Sequence, residues 1–94
     1  MKNAKWLKAN CDVVDVTPKN GRDFQLDELK RFVGGFIEIV RINDKQIMVV
    51  NEEGKLNGLP YNSLATEALI LAYQGRVDDY IVGDVLLCDN DMVK

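Results

Sequence analysis

Residues 32–68 read FVGGFIEIVRINDKQIMVVNEEGKLNGLPYNSLATEA, and the division of this stretch into elements decides the fold. Phe36, Ile37, Ile39, Val40 and Ile42 form a β-branched run that breaks at Asn43-Asp44-Lys45 and resumes as QIMVV, which predicts a β-hairpin. Gly34, in Val33-Gly34-Gly35, falls where a helix C-cap belongs, whereas a phosphate loop sets its glycines ahead of a helix N-terminus. Asn51-Glu52-Glu53-Gly54 reads as a turn in which Gly54 takes positive φ. Asn62 or Ser63 then caps a second helix carrying Leu64, Ala65, Ala68, Leu69 and Ala72, closed by Gly75.

Outward from this stretch, KWLKAN and DVVDV are short strands joined by a turn at Asn10-Cys11, where glycine would fit better than cysteine. Pro18 and Asn20-Gly21 mark a loop, after which Leu26, Leu29, Phe32 and Val33 recur at helical spacing behind Asp23. YIVGDVLLCD is a final strand in which Gly83 signals a bulge or a close backbone approach. The order β-β-α-β-β-α-β predicts a small single α+β domain over 1–94. Its sheet is expected to be mixed and mainly antiparallel, with two short helices over one face.

With 94 residues, 47% of them hydrophobic and 29% charged, the chain has the profile of one globular unit. The apolar runs are far shorter than the roughly 20 residues a membrane span needs, and MKNAKWLKANCDVVD has no signal-peptide core. Cytoplasm is the expected compartment, with no membrane partner. Twelve basic against fifteen acidic residues, net −3, give no general phosphate-binding surface. Lys2, Lys5 and Lys8 read as a solvated edge beside the lone Trp6, so no nucleic-acid partner is expected. Without histidine, Cys11 and Cys88 complete no zinc pattern, and neither they nor Ser63, the one serine, belong to a classical triad. They read as free thiols, and no cofactor is implied. Asp78-Asp79 and Asp89-Asn90-Asp91 lack the glycine and terminal glutamate of a calcium loop.

Several pieces carry a resemblance: Phe24-Gln25-Leu26-Asp27-Glu28-Leu29, Val33-Gly34-Gly35, Glu38, Asn51-Glu52-Glu53-Gly54, Pro60-Tyr61-Asn62, Ala65-Thr66 and Ile81-Val82-Gly83-Asp84-Val85. Nearly the whole chain resembles a small domain of unknown function that recurs in phages, plasmids and other mobile elements. The resemblance implies a fold and a genomic setting, and no activity. The chain departs from it at Asn10-Cys11, where similar chains look more like Asn-Gly.

Function is then read from residue types. Asn51, Glu52, Asn62 and Thr66 are recognition groups, and they point to a non-enzymatic binding module for a small polar ligand or a host protein. That reading requires Asn51 or Glu52 to lie within about 10 Å of Asn62 at one pocket. An alternative is a metal-assisted hydrolase in which Glu52 works with Asp84 or Glu38. A third is assembly through an exposed sheet edge.

Overall fold

The computed structural model describes residues 4–93, so Lys2 lies outside the described residues. In chain order the elements are β1 (Ala4–Leu7), β2 (Val13–Val16), α1 (Leu26–Val33), β3 (Ile37–Arg41), β4 (Gln46–Asn51), α2 (Ser63–Ala72) and β5 (Val85–Asp89), followed by a 3-10 turn at Asn90–Met92. The fold is α+β in the expected order.

The five strands form one sheet in the order β2-β1-β5-β4-β3. Every neighbouring pair is antiparallel, and an isolated bridge between Phe24 and Val93 is parallel. The last strand therefore slots between the two hairpins. Its register aligns Leu7 with Val85 on one side and Ile47 with Cys88 on the other. The central strands carry the unbroken apolar runs Ile47–Val50 and Val85–Cys88, the pattern of strands covered on both faces.

The helices accordingly pack on opposite faces, not over one face. Leu29 and Val33 of α1 join Ile47, Val49, Leu86 and Cys88, while Ala65 and Leu69 of α2 join Met48, Val50 and Val85. The physical reason is the twofold alternation of a strand: Ile47–Val50 of β4 are apolar at both odd and even positions, so each face requires its own cover.

Local devices set the ends of these elements. The first helix is capped at Gln25, not Asp23: Glu28 reaches back to the Gln25 N–H at 2.7 Å, and Gly34 ends the helix in left-handed geometry, φ 81°. In the first hairpin Cys11 donates its N–H to the Lys8 carbonyl at 2.9 Å and sits at φ 77°. That left-handed conformation strains a residue with a side chain by about 1 kcal/mol. The expected strand over 80–89 begins only at Val85, because Gly83 turns the chain at φ 75°.

Candidate functional site

Residues 60–62 lie beside residues 81–83 and form a short wall at the N-terminus of α2. Asn62 donates its backbone N–H to the Ile81 carbonyl at 2.9 Å, Gly83 donates to the Pro60 carbonyl at 2.7 Å, and Tyr61 bridges Val82. The Asn62 side chain, 1% exposed, accepts from the Ala65 N–H at 3.0 Å as an N-cap. Its amide group donates to the Leu7 carbonyl at 3.0 Å and the Gly83 carbonyl at 2.8 Å, tying the helix to β1 and to the approach of β5. One turn on, buried Thr66 accepts from the Ile81 N–H at 2.8 Å and donates to the Ile81 carbonyl at 3.3 Å.

In front of this wall lies a pocket of about 150 Å³. Val40 and Val50 line it on the sheet side, Ile81 and Val82 come from the wall, and Glu38, Glu52, Lys55 and Tyr80 supply polar and aromatic groups. Lys55 is already committed: it pairs with Asp79 and rests 4.3 Å from the centre of the Tyr80 ring. The hydrogen bond with Asp79 holds the Lys55 ammonium above its ordinary pKa, and the same bond, with the Tyr80 N–H, holds the Asp79 carboxyl below its own. Glu38 and Glu52 make no side-chain hydrogen bond or ion pair among the described residues, though Glu38 adds weakly, through space, to the raised pKa of Lys55.

The NEEG turn closes beside this pocket. Gly54 does not take the positive φ expected from the sequence; it is the nearby Gly58 that does, at 66°. Gly54 serves close approach instead, since a Cβ there would meet Val82 Cγ2 at 2.9 Å. Gly83 combines both demands, with positive φ and a Cβ position 2.8 Å from Leu59 Cδ1.

Of the four residues singled out from the sequence, two line the pocket and two do not. Asn51 and Glu52 line the pocket, while Asn62 and Thr66 hold its wall from behind, through the backbone of residues 81–83. Asn51 is partly committed elsewhere, donating to the Val33 carbonyl at 3.1 Å and accepting from the Glu53 N–H at 2.9 Å. Of the alternative hydrolytic set, Glu38 and Glu52 share the pocket, but Asp84 accepts from the Ala9 N–H at 2.9 Å. Among the described residues no group of three or more His, Cys, Asp or Glu side chains is arranged to hold a metal ion. Both cysteines are free: Cys11 is exposed with its sulfur 3.5 Å from Ser63 Oγ, and Cys88 is buried.

Two features escaped sequence reasoning. Lys55 and Tyr80 complete the pocket beside Glu38, which the sequence had offered only for the hydrolytic alternative. A signal existed for Glu38, the one charged residue inside the run from Phe36 to Val40 and on the same strand face as Val40. The larger concavity, about 470 Å³, lies on the other side of the sheet and is lined by Trp6, Val16, Lys19, Arg31 and Phe32, from elements remote in sequence.

A five-stranded antiparallel sheet with one helix on each face and a rim pocket of unpaired carboxylates defines the class of this molecule by its architecture. Its residues 8–93 match the family described as Domain of unknown function (DUF3846), and the chain belongs to that family. No curated protein and no solved structure matches the chain. Among the described residues no helix is long and apolar enough to cross a membrane.

Proposed function

We propose that the chain is a non-enzymatic binding module whose site is the pocket between β3, β4 and the 81–82 wall, and whose ligand is a small polar molecule with a cationic amine or guanidinium group. One observation carries this reading: among the described residues Glu38 and Glu52 border a single concavity with no hydrogen bond or ion pair, while the adjacent cation, Lys55, is committed chiefly to Asp79 and Tyr80 and only weakly, through space, to Glu38. Two like charges at one pocket repel, and a cation entering between them gains charge-assisted hydrogen bonds and removes that repulsion. Val40, Val50 and Leu56 offer apolar surface to the carbon stem of such a ligand. Asn51 supplies a polar edge, and Asn62 with Thr66 keeps the wall in place. A reducing, cytoplasmic setting suits two unpaired cysteines, and the resemblance to mobile-element chains supports a small capture protein of that type.

The test is an NMR titration with n-butylguanidinium and n-butylammonium, using n-butanamide as the uncharged control. The expected result is saturable shifts at the amides of Val50, Glu52, Ile81 and Val82 for the two cations and none for the amide. Equal shifts with the uncharged control, or no saturation with either cation, would sink the proposal.

A further inference from the structure

The concavity on the α1 side differs from the first pocket in both shape and charge. Its floor is aromatic: Trp6 meets Phe32 edge-on with ring centres 5.3 Å apart, and Phe32 meets Phe24 in the same way at 5.7 Å. The Trp6 indole N–H donates to the Phe32 carbonyl at 3.1 Å, which fixes the indole where it lines the cleft. The cleft stays open because the loop after β2 is propped against α1 by Glu28, whose carboxylate accepts the Lys19 N–H at 2.9 Å and the Gln25 N–H at 2.7 Å.

Charge then selects the occupant. Glu28 is the one carboxylate in the lining, and it is 5% exposed with both oxygens taken by backbone donors. Lys19 and Arg31 are exposed at the rim, and Lys8 lies 4.4 Å from the centre of the Trp6 ring. Arg31 pairs with Asp27 at 3.3 Å, an exposed i,i+4 pair that solvent screens and that yields to a better partner. The volume, about 470 Å³, falls within the range of small-molecule sites.

We infer that this cleft is a second binding site, for a small planar aromatic anion: a ring laid against Trp6 and Phe32, with its carboxylate or phosphate held by Lys19 and Arg31. The site is independent of the carboxylate pocket, which lies on the opposite face and selects the opposite charge.

Trp6 is the single tryptophan, so its indole N–H gives one unambiguous NMR reporter inside the cleft. The probes are 2-naphthoate and 2-naphthyl phosphate, compared with 2-naphthylmethylammonium, which keeps the ring and reverses the charge, and cyclohexanecarboxylate, which keeps the charge and loses the ring. The two aromatic anions are expected to shift the Trp6 indole signal and the amides of Thr17, Lys19, Arg31 and Phe32 saturably. Whichever anion binds more tightly identifies the headgroup. Both comparison compounds are expected to bind about tenfold more weakly or worse, since each loses either the ion pairs or the stacking. The double variant Lys19→Glu, Arg31→Glu should weaken 2-naphthoate by about tenfold. Glu38→Gln with Glu52→Gln should leave 2-naphthoate binding unchanged, which separates this site from the carboxylate pocket. Equal affinity for the ammonium and the carboxylate, absence of saturation, or shifts confined to the Glu38 and Glu52 side would overturn the inference. If the charge-reversed variant does not fold, the four-probe series on the unaltered protein decides alone.

Discussion

Asn51 and Asn62 are the same residue type placed at two seams of one sheet, and the structure uses them to different depths. Asn51 is half-buried at the seam between α1 and β4, where it meets the last α1 carbonyl, that of Val33, and the Glu53 N–H. Asn62 is fully enclosed at the seam under α2, where it joins its own helix to Leu7 and Gly83, 55 and 21 residues away. One asparagine trims a local junction and the other binds three elements. The recognition chemistry that both seemed to offer is spent inside the fold, and what remains for a ligand is the charge beside them.

The largest effect is expected where the seam is deepest. Asn62→Ala removes the N-cap of α2 and takes an amide donor from the Leu7 and Gly83 carbonyls at a fully buried site, so it should cost about 3 kcal/mol. Asn51→Ala loses bonds at a half-buried site and should cost about 1–1.5 kcal/mol. Urea unfolding compares the two directly. Hydrogen exchange at the Ile81 amide should accelerate in the Asn62 variant and not in the Asn51 variant; equal costs would break the contrast between the seams.

Amide seams do not titrate, but the α1 face contains a group that does. Burial is the main cause that pushes the Cys88 thiol from the ordinary value near 9 up to about 12, with Asp89 and Asp91 adding to it. Since the unfolded chain gives up this proton first, stability is fully present below about pH 9 and is lost progressively as the pH rises toward about 12. Urea midpoints at stepped alkaline pH should fall for the unaltered protein, and Cys88→Ala should lack that component. Parallel profiles for the two proteins would remove the assignment.

The next effect has the opposite sign. Cys11 occupies a left-handed position with φ 77° in the first hairpin, so Cys11→Gly should stabilise by up to about 0.5 kcal/mol, what is left of the relieved strain after the entropy that glycine adds to the unfolded chain. A lower melting temperature for the glycine variant would show that the cysteine side chain, 3.5 Å from Ser63 Oγ, contributes more than its strain costs.

What could be read from the sequence follows the range of each interaction. Gly34 was legible as a C-cap and Asn62 as an N-cap because both act within one helical turn. The further bonds of Asn62 to Leu7 and Gly83 were not legible, since nothing local announces which distant carbonyls will arrive. Gly54 shows the same limit: positive φ is a local guess, while its actual constraint, Val82 packed against it, comes from 28 positions later. The unbroken runs in β4 and β5 did contain the three-layer arrangement, because a strand apolar at both parities requires two covered faces. Of the pocket, Asn51 and Glu52 were found by type. Tyr80 joins them only through the loop that follows α2, and it is Asp79 and Tyr80 of that loop that hold nearby Lys55 in place.

The smallest expected change in stability is the one that separates a site from a scaffold. Among the described residues Glu38 and Glu52 have no side-chain hydrogen bond or ion pair to lose, so Glu38→Gln with Glu52→Gln should move the unfolding free energy by no more than about 0.5 kcal/mol. The repulsion relieved between the two carboxylates and the weak attraction of Glu38 for Lys55 that is lost have opposite signs and keep the change small. The same double variant should abolish the response of Val50, Glu52, Ile81 and Val82 to n-butylguanidinium, since only the carboxylates distinguish that probe from its uncharged control. A scaffold role would give the reverse pattern, in which stability falls and the response to the cation persists. Intermediate single variants sharpen the point: if the carboxylates clasp one cation between them, each single glutamine should weaken binding by roughly the same factor, and the two factors should not multiply in the double variant because the residues act on one ligand charge.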